Sequence, residues 1–523
     1  LDAGAAWSQA DPMDSAPARS AAPVPEPAAS QPVNAPPHLS VEARAAATSD
    51  GGVDDSGRRQ ADFITSLRPV LDVARKGAGF NADLHAAATL IDYARNSQPD
   101  GVLPDLHGRF GATFLDRWLQ LDGAGYLRAA EADPFGVRTD DVNAGNRRND
   151  WGVLAGATLQ HEWGRDVSVL ARQQVGLARS TTGAAAVGSG SDAENRLKTA
   201  TTVFRLERRP TPLGASVEIT RLQNRSTSDL GDSRYTLTTG RAKATLQLGE
   251  GASLSVLAGQ DRSDYLLASH VDPLYGAALD WTPGPRTRFE LEVEHRYFGE
   301  SGRLRVEHRT PFLVVSIGVR RQPVDAASSF GTVAQGGDVR SALDAILTTR
   351  YPDPATRQGV VDNIVSSRGL DTRAGSGAVD LLGDYPQLQT AAEGGLTLLG
   401  VRDTLSVSAY ALTTRVLTHD GDPLAGAGVA TSDSRQRGGA IQLEHRLGAQ
   451  LSAIFLGNWS RIDNLRGAAQ RSQEQTWRLT LLEHLSQRSD VSVGLQWNRF
   501  ETTAVGQRSF DATLGLVGLI HRF

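Results

Sequence analysis

The 523-residue chain is 40% hydrophobic and 22% charged, has a formal charge of -5 and contains no cysteine, so no disulfide framework, thiolate metal site or global basic field for nucleic acid is indicated. No apolar run approaches the roughly 18 residues that a spanning helix requires, which excludes inner-membrane helices. A β-barrel is not excluded, because strict alternation sets each lipid-facing residue beside a polar neighbour and hides the pair from any hydropathy average.

Residues 1–10 end on Ser8-Gln9-Ala10 before Asp11, with the small residues at -3 and -1 that signal peptidase accepts. They read either as the tail of a signal peptide or as Ala-rich disordered sequence. Residues 11–37 are rich in proline and alanine, as in Ala22-Pro23-Val24-Pro25-Glu26-Pro27, and read as a flexible linker. A disordered segment over 1–37 is therefore expected, followed by one continuous unit over 38–523.

From residue 39 onward the chain repeats a short alternating stretch, a tight turn, a second alternating stretch and a longer polar loop. In chain order the strands are predicted at 39–47, 62–75, 80–93, 106–115, 118–127, 151–163, 167–179, 197–208, 213–222, 235–248 and 253–262. They continue at 274–282, 287–297, 303–309, 312–320, 387–399, 404–417, 439–447, 451–462, 476–485, 491–500 and 510–523. Between Arg288 and Tyr297 the alternation is clearest: Phe289, Leu291, Val293, His295 and Tyr297 share one face, and Arg288, Glu290, Glu292, Glu294 and Arg296 share the other. A soluble protein would need a second sheet or a helical layer to cover that apolar face, and almost no helical sequence is present. The pattern predicts an all-β fold, a transmembrane antiparallel β-barrel of about 22 strands with one large helical loop insert.

Short turns such as Lys76-Gly77-Ala78-Gly79, Pro283-Gly284-Pro285 and Gly448-Ala449 alternate with long loops such as 94–105 and 180–196. Bacterial barrels put short turns in the periplasm. Parity then makes 39–47 the first strand, gives an even strand count and leaves both ends of the chain periplasmic. The connection 322–386 is far longer than the others and falls at the extracellular mouth. Within it a helix is predicted over 339–348. A second opens at Asp353-Pro354, runs through Val360, Val361, Ile364 and Val365 and stops at Gly369. This insert would either fold inward as a constriction or cap the rim.

Tyr93, Trp118, Trp151, Trp163, Trp281, Tyr297, Trp477 and Trp497 collect near the predicted strand ends and read as membrane-interface aromatics. Glu-His-Arg recurs at 294–296, 307–309 and 444–446. Imidazoles on strands so distant in order have no reason to converge, and His161, His308, His445 and His521 read as polar tips in the headgroup belt. The inward-phased charges Arg288, Glu290, Glu292, Glu294 and Arg296 would lie beside Arg303, Arg305, Glu307 and Arg309 on the next strand. Arg205, Glu207, Gln442, Glu444, Arg446 and Arg478 extend this candidate lumen lining. Its mixed sign suits a hydrated path or a salt-bridged wall and argues against strong selection for one ion. No G-x-S-x-G elbow, P-loop, H-E-x-x-H or cysteine zinc pattern is present, so neither an enzyme, a cofactor nor a metal is indicated.

Asp62-Phe63-Ile64-Thr65-Ser66-Leu67-Arg68-Pro69 is similar to an early strand, and 343–369, with Arg350-Tyr351-Pro352-Asp353-Pro354-Ala355-Thr356-Arg357, resembles a helical insert, in the outer-membrane proteins associated with PEP-CTERM/exosortase systems. Members of that family occur in proteobacteria that make exopolysaccharide. The resemblance implies an outer-membrane address and a place in polysaccharide production or export, and it carries over no functional residue. Terminal Phe523, with Leu519 and Val517 in phase, fits part of the signal read by the barrel-assembly machinery, although His521 departs from the apolar residue expected there.

The primary expectation is thus a passive conduit or accessory component in exopolysaccharide export. The partners would be outer-membrane lipid, the assembly machinery, polysaccharide or export-complex proteins, and no nucleic acid. Alternatives are a non-conducting docking barrel and a general porin or receptor-like barrel. A TonB-dependent receptor has a similar strand number, but the stretch preceding residue 62 is short for a globular plug.

Overall fold

The computed structural model of the protein describes residues 37–53, 59–115, 118–138, 146–164, 166–182, 193–228, 231–265, 268–324, 339–348, 350–351, 357, 360–361, 364–365, 387–417, 433–466, 469–504 and 507–523. The strands are β1 (His38–Val53), β2 (Arg59–Lys76), β3 (Phe80–Tyr93), β4 (Gly101–Phe114), β5 (Leu119–Glu131), β6 (Arg147–Trp163), β7 (Val167–Thr182) and β8 (Ala193–Arg208). Then come β9 (Leu213–Ser228), β10 (Gly231–Gly249), β11 (Ala252–Tyr265), β12 (Ala268–Gly284), β13 (Thr287–Arg296), β14 (Gly299–Arg309) and β15 (Leu313–Val324). After helix α1 (Val339–Leu347) the series closes with β16 (Gln387–Leu399), β17 (Asp403–Val416), β18 (Ser434–Arg446), β19 (Leu451–Asn464), β20 (Arg471–His484), β21 (Ser489–Thr502) and β22 (Phe510–Arg522).

The strands form one 22-stranded sheet in which each pairs antiparallel with its neighbours in sequence. The sheet closes on itself through β1 and β22, from Ser40 opposite Arg522 to Thr48 opposite Leu514. Closure pairs the backbone of every strand on both sides and leaves no edge, the condition for a sheet to live in hydrocarbon. No helix among the described residues is long and apolar enough to cross a membrane.

Burial is inverted relative to a soluble protein. Val153, Leu159, Val175, Val256 and Leu495 are all at least half exposed on the outer face, whereas Asp261, Ser255, Glu444 and Gln496 on the inner face are no more than 1% exposed. Lipid is the solvent that such an outer face requires.

Several strands run further than the alternation predicts. β4 starts at Gly101 and contains Pro104, β12 starts at Ala268, β18 at Ser434 and β20 at Arg471. All four extensions lie at the end away from the tight turns, where the ladder continues beyond the hydrocarbon and water on both faces removes the need to alternate. The same end carries three links of only two residues, 229–230, 266–267 and 297–298. The alternation of short turns and long loops expected from the sequence therefore does not hold throughout.

The predicted helix over 339–348 is present as α1. Arg357, Val360, Val361, Ile364 and Val365 are helical, and the remainder of the second predicted helix lies outside the described residues. Leu343, Leu347 and Val361 are buried together, with Val360, Ile364, Val365, Tyr351 and Leu399 packed against them. Leu399 is the last residue of β16, at the short-turn end, and its phase is inward because Leu398 is exposed on the outer face. The connection after β15 starts at the opposite end, so the described helical residues of the insert pack inside the barrel rather than capping the rim. The segment 1–36 lies outside the described residues.

Candidate functional site

The inner face of β8 to β14 places ionised side chains in register. Across β13 and β14, Arg288 is opposite Glu307, Glu290 opposite Arg305 and Glu292 opposite Arg303. This is the adjacency expected from the sequence, yet the tightest ion pairs reach further. Arg241 of β10 is 9% exposed and lies 2.7 Å from Glu294, 3.3 Å from Glu292 and 3.5 Å from Glu218. Arg205 Nε donates to Glu218 at 2.7 Å, and Arg303 is 3.8 Å from Glu292. One chain of charges thus joins β8, β9, β10, β13 and β14.

Arg241 passes over two intervening strands because glycine lies beneath it. Gly259 of β11 is its register partner, and Gly276 of β12 is the partner of Glu294. A Cβ at Gly276 would sit 3.0 Å from Glu294 Cγ and 2.3 Å from the Val293 carbonyl oxygen. A bare backbone at both places keeps the wall clear where Arg241 reaches Glu294.

A second knot lies one layer toward the long-loop end. Arg296 donates to Asp261 through Nε at 2.9 Å and Nη2 at 2.8 Å, and to Thr239 Oγ1 at 3.0 Å. Thr239 Oγ1 in turn donates to Asp261 at 2.7 Å. Both charges are fully buried, and the bidentate geometry compensates for the loss of water.

The other predicted lining residues are dispersed. Arg288 pairs with Glu290, Arg305 is 3.8 Å from Glu307, and Arg309 donates to the Pro285 carbonyl. Gln442 and Glu444 are buried on the inner face of β18, where Glu444 accepts from Ser452 at 3.3 Å. Arg478 Nε donates to Gln496 at 2.6 Å. Glu207 is in the inward phase of β8 beside Ser216, and Arg446 is exposed at the short-turn end of β18.

Among the predicted interface aromatics, Trp118, Trp163 and Trp281 are exposed on the outer face at the short-turn end. Trp118 and Trp163 flank His161, with ring centroids 3.9 and 5.1 Å away. Trp151 shares the outward phase of Val153. Two tryptophans depart from the strand-end position: Trp477 lies midway along β20, stacked on Phe455 at 5.8 Å, and Trp497 is well inside β21. Their strands extend past the predicted ends. Tyr93 and Tyr297 depart more sharply, since both face inward. Tyr93 is 2% exposed in a cluster with Ile64, Ile91 and Leu514. Tyr297 shares a 2.7 Å hydroxyl contact with Tyr235. At the link 297–298 the chain turns, so the alternation of β13 no longer governs where Tyr297 points. Terminal Phe523 is exposed, edge-on to His521 at 4.8 Å.

The long-loop mouth holds a feature that the sequence does not signal. The β5–β6 link carries Phe135, 3% exposed, across to Ile462 and Ala504. Asp133 shapes the turn by accepting from the Phe135 backbone at 2.9 Å, and Gln507 donates to its other oxygen at 2.9 Å. Arg138 lies 3.7 Å from Glu474 and donates to Tyr410 Oη at 3.5 Å. Burial works against the Arg138 charge, but Tyr410, Glu474 and Glu131 more than offset it and hold its pKa above the ordinary value. β17, which carries Tyr410, is half-way round the ring from β6, so this link spans the mouth.

No family model and no curated protein matches the chain by sequence. Among solved structures, the FrpB iron transporter from Neisseria meningitidis (F5-1 variant) is similar with a TM-score of 0.52 at 9% identity, over 94% of this chain and 83% of that one. Its apoprotein form gives 0.50 at 10% identity, over 93% and 81%. The siderophore receptor PirA from Pseudomonas aeruginosa gives 0.46 at 10% identity, over 93% and 80%. What the likeness to FrpB shows is the fold, a large closed antiparallel barrel of the kind that spans a bacterial outer membrane.

Proposed function

We propose that this barrel is a closed, receptor-like passage that admits a polar solute through the outer membrane, with the long-loop end outside and both chain ends in the periplasm. The observation that carries this reading is that described residues of two connecting segments of the chain itself pack inside the barrel. The β5–β6 link reaches across the mouth to Tyr410 and Glu474 through Arg138, and the described helical residues of the insert pack on Leu399. A ring of 22 strands is wider than its own side chains can fill, and barrels of this size work with a plugged lumen. The charged wall offers a polar solute replacement for its hydration shell. The fold shared with the FrpB iron transporter supports transport as the activity class.

Single-channel recording in planar bilayers tests the reading. The intact chain should stay near background, and replacing 325–386 by a four-residue Gly-Ser turn in a Phe135→Ala background, which frees both segments, should give a large, steady conductance. A deletion variant that is correctly folded yet equally silent would overturn the passage.

A second reading places the barrel in exopolysaccharide export, and it rests on the sequence resemblance over residues 62–69 and 343–369. Loss of secreted polymer on disruption of the gene, restored by the intact chain, would favour it; unchanged polymer would remove it.

A further inference from the structure

Elsewhere on the inner wall, β3 and β4 bring His85 opposite His107 and Ala87 opposite Asp105. All three polar side chains are in the inward phase, since the adjoining Leu84 and Leu106 are exposed on the outer face. The two imidazoles are stacked with centroids 4.8 Å apart. The Asp105 carboxylate lies between them, with Oδ2 3.7 Å from His85 Nε2 and Oδ1 3.6 Å from His107 Nδ1. The three potential ligand atoms lie within 4.8 Å of one another.

Those separations are too long for hydrogen bonds. The two carboxylate–imidazole separations are close to the spacing of ligands around a small cation, since two donors each about 2.1 Å from a tetrahedral ion are roughly 3.4 Å apart; the set spans up to 4.8 Å, so the side chains close in slightly when an ion binds. Two further observations point to a ligand. His85 Nε2 is buried and has no hydrogen-bond partner. Its other nitrogen, Nδ1, is held by Asp72 Oδ1 at 2.6 Å. A carboxylate on one imidazole nitrogen fixes the proton there and turns the lone pair of the other outward, which is how proteins orient metal-binding histidines. Arg68 Nη2 donates to Asp105 Oδ2 at 3.3 Å, and its Nη1 is 3.6 Å from Glu42, the carboxylate that keeps this guanidinium paired when a cation takes its place on Asp105.

We propose that His85 Nε2, Asp105 and His107 Nδ1 form a lumen-wall site for a divalent transition-metal cation, with Asp72 as the positioning residue behind His85. Two imidazoles and one carboxylate suit zinc, cobalt or ferrous iron more than calcium or magnesium, which prefer all-oxygen shells. His107 is the most exposed of the three, so the open coordination position faces the lumen. The site stands whether or not the barrel conducts.

The test uses the full chain, purified in detergent with a histidine-free tag and stripped with chelator. Cobalt(II) titration followed by visible absorption, with zinc(II) calorimetry in parallel, should show one cation per chain. Asp72→Asn should weaken binding about 10- to 100-fold, and His107→Ala and Asp105→Asn at least as much, while His308→Ala should bind as the parent does. Heat-modifiable gel migration reports folding independently, and exposed His107 can be replaced without burying a hole. If folded His107→Ala and Asp105→Asn bind cobalt and zinc as tightly as the parent, or if the parent takes up none, the site does not exist.

Discussion

Arg241 shows how much of the wall rests on one side chain. It faces Glu218, Glu292 and Glu294 from within a buried setting, and Arg205 and Arg303 complete the balance at the two ends. Replacing it by methionine keeps most of the volume and leaves three carboxylates with too few cations. Breaking a buried ion pair from one side costs about 3–5 kcal/mol, so Arg241→Met should lower barrel stability by about that amount. Urea unfolding in lipid vesicles, followed by tryptophan fluorescence, measures it; a change within error would mean that water rather than protein neutralises these carboxylates. The adjacency of β13 and β14 was readable from phase alone. The partnership of Arg241 with Glu294 was not, because it spans strands and depends on the glycine floor at Gly259 and Gly276.

The β5–β6 link and the insert are elements whose role no local pattern announces. Phe135 stands in a polar loop and looks like any exposed aromatic until the opposite wall arrives to cover it. Removing a buried phenylalanine costs about 3–5 kcal/mol, more than one hundredfold in the docked-to-released ratio at 1.4 kcal/mol per tenfold. Phe135→Ala should release the link while leaving the sheet untouched, because β5 and β6 remain paired through 13 register partners. Limited proteolysis should then cut near Phe135 in the variant and spare the parent, with unchanged heat-modifiable migration. Equal resistance would show that Asp133 and Arg138 hold the link without the ring. The insert is legible as helix from Val339 onward, but its inward course was one of two open readings. Its apolar faces decide the matter by meeting each other and Leu399 inside the wall.

The molecule as a whole turns the usual arrangement of a protein inside out, and its stability depends on the solvent around it. Val256 lies on the outer face of β11, 59% exposed, several residues from either end of the strand. An arginine there would face hydrocarbon. Val256→Arg should destabilise the barrel by about 2–4 kcal/mol in vesicle unfolding experiments, whereas a surface exchange on a water-facing sheet would be near neutral. No loss of stability would mean that this face is not in lipid.

The sequence by itself determined the fold class, the strand number and the membrane-facing side, because alternation is a local property that each strand must satisfy alone against hydrocarbon. It also placed the lining charges of β13 and β14, since adjacent antiparallel strands inherit their register from a tight turn. Only the tertiary structure decided which charges meet across two strands, which tyrosines turn inward, and that His85, His107 and Asp105 converge beside Asp72. It alone decided, too, that Phe135 of a loop and the described helical residues of the insert pack against distant parts of the wall. Those contacts join residues separated by many strands, and ring closure, which no segment encodes, sets their distances.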